Sequence, residues 1–133
     1  MAEIKISDLS VGDWVTTDYE DSNGDTVCKV EGIEKWRNGY VLIVKRKDGN
    51  VDTLGIRCFK PIPITAEILE KNGISKTYES DEYAVYKGEG FNVTEYYTEL
   101  WEFERCRNRL MIRNVHQLQH ALRLAGVEKE IEI

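Results

Sequence analysis

Three dipeptides, Asn23-Gly24, Asn38-Gly39 and Asp48-Gly49, punctuate the first fifty residues between short apolar and β-branched runs. Each pairs residue types that tolerate positive φ, the geometry a two-residue primed turn demands, so each reads as a hairpin. Their spacing predicts an antiparallel meander with strands near 12–19, 26–35, 40–46 and 51–58. Leu9-Ser10-Val11-Gly12-Asp13-Trp14-Val15 sets a Gly-Asp corner before the first of them. Four or five short strands with tight turns suit an SH3-like barrel over residues 1–60, with Trp14 in its core.

Pro61-Ile62-Pro63 ends this pattern, because prolines lack ladder donors and hold the chain extended. Thr65 then caps a helix expected over 66–71, with Ile64, Ile68 and Leu69 on one face and Asn72-Gly73 as its stop. From Tyr78 the apolar period returns to two, through Tyr83 and Val85, Phe91 and Val93, Trp101 and Phe103, Leu110 and Ile112. That predicts three or four antiparallel strands across about 82–113. Asn114 caps a second helix over 115–125, whose Val115, Leu118, Leu122 and Ala125 keep helical spacing before Gly126. The tail 127–133 alternates Glu with Ile and is expected to form an edge strand. The fold class is α+β: an SH3-like meander or barrel, then a unit over 64–133 with a small antiparallel sheet and two short helices. An exposed edge in the tail predicts pairing between copies, hence a homo-oligomer.

Composition excludes several classes. Lys and Arg number 18 against 24 Asp and Glu, a net charge of −6, which argues against general nucleic-acid coating. With 41% hydrophobic and 32% charged residues the chain has the makeup of a folded domain. No run approaches the length of a membrane span, and residues 1–9 mix charge into every turn, so a cytoplasmic protein without a membrane partner is expected. Cys28, Cys58 and Cys106 are odd in number and lack a Cys-x-x-Cys pair, which fits buried thiols better than a zinc site or a disulfide framework.

Two stretches carry a resemblance: the run from Pro61 to Gly73, PIPITAEILEKNG, and the run from Val115 to Gly126, VHQLQHALRLAG. They resemble a group of small uncharacterised proteins of Bacteroidota genomes, their phages and mobile elements, which also open with a Leu-x-x-Gly-Asp/Asn-x-Val unit. The resemblance covers about half of the chain and implies a genomic setting, with no catalytic residues and no cofactor. Those relatives often carry Cys where this chain has Ala125.

Charge segregation is the sharpest local feature. Eight acids and one lysine occupy 78–104, whereas 105–127 holds Arg105, Arg107, Arg109, Arg113 and Arg123 with no acid. Arginine forks fit phosphate or carboxylate, so Arg105, Arg107, Arg109 and Arg113 beside Tyr97, with Trp36 and Arg37 from the first half, are candidates for an anionic nucleotide-type ligand. The structural alternative is cross-strand pairing, with Glu102 and Glu104 facing Arg109 and Arg113 and only the hairpin tip left free. His116 and His120 are spaced i, i+4 and are weak metal candidates, but Gln117 stands where a zinc protease needs a glutamate base. Neither a nucleophile elbow nor a glycine-rich phosphate loop is present. These observations favour a non-enzymatic binding protein that, in the setting the resemblance implies, acts in counter-defence by sequestering a nucleotide signal or docking on a host protein. The alternatives are a nucleic-acid or replication module on the barrel, using Trp36, Arg37, Lys45, Arg46 and Lys47, and a metal-dependent hydrolase on His116 and His120.

Overall fold

The computed structural model describes residues 4–133, and the chain divides into a first unit ending at Ile62 and a second beginning at Pro63. In the first, β1 (Trp14–Thr17), β2 (Val27–Trp36), β3 (Gly39–Arg46), β4 (Val51–Gly55) and β5 (Phe59–Pro61) form one antiparallel sheet. Its order is β4-β3-β2-β1-β5, so the ladder is open and β4 and β5 are its edges. The barrel expected from the turn count is therefore not closed by hydrogen bonds. A 3₁₀ turn at Ile56–Cys58 lifts the chain off the ladder after β4, and β5 is three residues long and ends in a proline with no donor.

The three glycines do take positive φ, 78° at Gly24, 134° at Gly39 and 93° at Gly49, but their Asn and Asp partners do not. The turns are thus built with one left-handed residue rather than two. In the β2–β3 hairpin the loop is Arg37-Asn38, with Trp36 paired to Gly39.

Strand alternation sends Val15, Cys28, Val30, Leu42, Val44 and Phe59 into the core of this unit. Trp14 is not among them; it is half-buried on the outer face, with Lys29 Nζ and Lys47 Nζ 5.4 and 5.9 Å from its ring centroid. The Gly-Asp corner is fastened from inside, where the buried Asp13 carboxylate accepts the Ser10 amide at 2.8 Å.

Arg46 is 4% exposed and turns inward. Its Nη1 donates to Asp52 at 3.0 Å, and its Nη2 donates to the carbonyls of Tyr19 and Asp25, pinning the long β1–β2 loop. Two surface carboxylates finish that attachment. Asp21 accepts the amides of Asn23, Asp25 and Asp48, while Asp48 accepts those of Ser22 and Asn50 together with the Ser22 hydroxyl.

In the second unit α1 (Ala66–Lys71) precedes β6 (Ser75–Glu79), β7 (Tyr83–Gly88), β8 (Phe91–Tyr96), β9 (Leu100–Arg105) and β10 (Asn108–Ile112), and α2 (Val115–Leu124) follows. The sheet is a plain meander, β10-β9-β8-β7-β6. Ala84, Tyr86, Val93, Trp101 and Phe103 form its buried face, and α2 adds Val115, Leu118, Ala121 and Leu122 to the core. β6 was not expected, because all five of its residues are exposed and no alternation marks it.

The tail 127–133 is not a strand. Two side-chain amides hold it instead. Gln119 donates Nε2–H to the Lys129 carbonyl at 2.8 Å and accepts the Ile131 amide at 2.7 Å, and Asn72 likewise donates to the Glu132 carbonyl at 2.8 Å and accepts the Glu132 amide at 2.7 Å. Each carboxamide reproduces the donor–acceptor pair of a neighbouring strand, and Ile131 is buried between the two contacts. The edge that motivated pairing between copies is thereby occupied within the chain.

Truncating Gln119 to Ala leaves the Ile131 amide and the Lys129 carbonyl without those partners. It should lower the unfolding free energy by about 2–4 kcal/mol, read from urea denaturation, and should remove hydrogen-exchange protection at Ile131. The loop attachment predicts an acid dependence. Hydrogen bonding, led by the Asn50 amide, lowers the Asp48 pKa to about 2, so its contribution is complete above the ordinary carboxylate range and is lost as pH falls through about 2. Asp48→Asn should flatten the pH dependence of thermal stability below about pH 4.

Candidate functional site

The β9–β10 hairpin gathers three arginines, Arg105, Arg107 and Arg109. Its register sets Arg109 opposite Glu104, and Arg109 Nε donates to Glu104 Oε2 at 3.0 Å and lies 4.0 Å from Glu102 Oε1. The cross-strand pairing expected from sequence holds for Arg109. It does not extend to Arg113, which follows β10, where the last pair is Ile112 with Trp101.

The hairpin loop is Cys106-Arg107, and both residues have positive φ, 51° and 70°. This is the primed geometry that Asn-Gly satisfies without strain. A thiol and a guanidinium occupy it instead, and both are exposed.

Beside this tip a groove of about 490 Å³ runs between β9–β10 and the C-terminal half of α2. Phe103, Leu110, Ala121 and Leu124 give it an apolar floor, and Arg105 and Arg109 stand at its rim. Leu124 is 85% exposed and Leu110 46%, although Leu110 pairs with Phe103 and so shares the sheet face that carries the core. β10 is also the sheet edge, so among the described residues one side of its backbone has no strand partner. Arg105 lines a second, more polar hollow of about 550 Å³ with Gly88, Phe91, Gly126 and Glu128.

The remaining residues of the expected ligand pocket lie elsewhere. Tyr97 belongs to the turn between β8 and β9, at the opposite end of β9 from Arg105 and so about 17 Å away along the strand. Its hydroxyl donates to Glu79 Oε1 at 3.2 Å, and desolvation together with that contact raises its pKa. Trp36 and Arg37 belong to the tip of the β2–β3 hairpin in the first unit, where Trp36 Nε1 donates to Glu34 Oε2 at 3.2 Å. Within the second unit, Arg105 and Arg109 line the groove, and Tyr97 lies at the far end of β9 from it.

Both glutamines of the His-Gln-Leu-Gln-His frame have structural partners. Gln117 Oε1 accepts the amides of Arg113 and Asn114 and closes the helix N-terminus, while Gln119 secures the tail. His116 is buried and meets His120 edge-on, with ring centroids 5.9 Å apart. Among the described residues no group of three His, Cys, Asp or Glu side chains is placed to hold a metal. The expectation of buried thiols holds for Cys28, whose pKa burial raises; Cys58 is half-buried and Cys106 exposed. In the basic run of the first unit, Arg46 is committed to the core side and only Lys45 and Lys47 face outward.

Among the described residues no helix is long and apolar enough to cross a membrane. No protein-family model matches the chain, and comparisons with curated proteins and with solved structures find no match.

The Cys106-Arg107 turn predicts an unusual stabilisation. Replacing it with Asn-Gly should raise the unfolding free energy by about 1–2 kcal/mol, measured by chemical denaturation, because each left-handed non-glycine residue costs on the order of 1 kcal/mol.

Proposed function

We propose that this chain is a non-enzymatic docking protein whose second unit captures an acidic, apolar-anchored segment of another protein along β10. The observation that carries this reading is the groove itself. An unpaired strand edge, the exposed Leu110 and Leu124, and the arginines at its rim lie side by side. Strand addition uses those parts in that arrangement, with the backbone supplying affinity and alternate side chains supplying selectivity.

Charge complementarity sets the sign of the partner through Arg105, since Arg109 already meets Glu104. A second copy of β10 is a poor occupant, because the register that sets Leu110 against its own copy also sets Arg107 against Arg113. A nucleotide is a weaker fit than an acidic strand, since the groove floor is aliphatic and its aromatic ring, Phe103, is buried. The strained turn supports the same reading: it keeps Cys106 and Arg107 where Asn-Gly would fold better, which favours a role for those side chains in contact. The genomic setting implied by the resemblance makes a host protein the natural partner, in a counter-defence role. The first unit, with a short fifth strand paired back onto β1, reads as an open SH3-like scaffold.

The test is titration of a labelled nine-residue strand peptide alternating Glu with Val or Leu, against its Lys-for-Glu counterpart. The acidic peptide should bind and its basic counterpart should not, and Arg105→Glu/Arg109→Glu should weaken binding at least tenfold. Equal binding of both peptides, or no effect of the double variant, overturns the proposal. A mononucleotide that displaces the peptide would return weight to nucleotide sequestration.

A further inference from the structure

The outer face of the first sheet concentrates cations that the net charge of −6 conceals. Because 41, 43 and 45 of β3 alternate away from the buried Leu42, Val44 and Arg46, Lys45 points outward, and its partner across the ladder is Lys29. Trp14 is the next residue along that row, paired to Lys29. Lys47 reaches the same place, since its Nζ and that of Lys29 both lie within 6 Å of the Trp14 ring centroid. Lys60 extends the band, paired with Thr16 on the outer side of β1 and bonded to Asp18 at 3.3 Å.

A second tryptophan closes the far end of this face. Trp36 pairs with Gly39, which shares the outward phase of β3 with Lys45, and it is 58% exposed. Six residue steps of strand separate Gly39 from Lys45, about 20 Å. Val41, Ile43 and Gly55 lie between, half-buried, with Glu34 held against the Trp36 indole.

We infer that this face is a binding site for single-stranded nucleic acid, with phosphates on Lys29, Lys45, Lys47 and Lys60 and bases against Trp36 and the Trp14 edge. Two arguments carry it. Lysines placed directly opposite each other repel, and the Lys29–Lys45 pair gains most from an intervening phosphate. A flexible strand bearing both anions and planar rings at every unit also matches aromatic groups interleaved with cations over this length, whereas a duplex keeps its rings stacked and a polyacidic chain such as polyglutamate has none. Neither Arg46, which is buried, nor the groove of the second unit takes part.

The experiment is fluorescence anisotropy of a fluorescein-labelled twelve-residue oligothymidylate with the full chain, at low salt and then across a salt series. Binding should weaken with salt at a log–log slope of roughly −2 to −3, from about 0.7 per phosphate neutralised by these lysines. Lys45→Glu/Lys47→Glu should reduce affinity at least tenfold, and Trp36→Ala should reduce it several-fold without changing the slope. Lys45→Glu alone converts the like-charge pair with Lys29 into an attractive one, so its melting temperature should stay level or rise while binding falls. That separates loss of the site from loss of the fold. Arg105→Glu/Arg109→Glu should bind the oligonucleotide as the unaltered protein does. Absence of binding at low salt, equal binding by the lysine variants, or displacement by polyglutamate as readily as by oligothymidylate would overturn the inference.

Discussion

An antiparallel ladder that does not close leaves a row of unpaired amides and carbonyls at each end, and this chain contains two such ladders. How its edges are treated explains much of the rest. β5 is cut to three residues and ends in a proline, and β6 is wholly exposed and bulged between Lys76 and Tyr78. β10 receives neither a bulge nor a proline, and it carries the arginines and exposed apolar side chains on which the docking reading rests.

The same shortage of closure is met inside each unit by polar side chains that act as substitute backbone. Arg46 gathers carbonyls from the β1–β2 loop, Asp13 takes an amide at the first corner, and Gln119 and Asn72 serve the tail. Buried polar groups of this kind fix one conformation because each has a definite donor and acceptor to meet. Hydrophobic alternation alone would leave the loop and the tail unassigned.

What could be read from the sequence divides along that line. Both helices, most strands and the core faces followed from apolar period and caps, since burial imposes those patterns locally. The hairpin glycines marked the bends but overstated their type. Among the described residues the one two-residue loop with both φ positive, Cys106-Arg107, was legible as a bend from the apolar period on either side, but it carries no glycine to mark its type. β6 lacked alternation because neither of its faces is buried, and the tail had alternation without a strand partner. The arginine cluster was legible as composition, but strand direction decides who meets whom: it leaves Arg105, Arg107 and Arg109 at one end of the hairpin and Arg113 and Tyr97 towards the other. The lysine face went unassembled because Lys29, Lys60 and Trp14 join Lys45 only through pairing between strands.

Asn72 has a consequence that concerns time rather than folding. Its buried carboxamide donates to the Ile68 and Glu132 carbonyls and accepts the Glu132 amide, while the Gly73 amide donates to the Glu70 carbonyl. An Asn-Gly pair ages when the glycine nitrogen attacks the side-chain carbonyl carbon and ammonia leaves, and here both reacting groups are engaged in hydrogen bonds. The docked tail thus protects the one Asn-Gly step that anchors it, and that step becomes open to chemical ageing only after the clasp has opened.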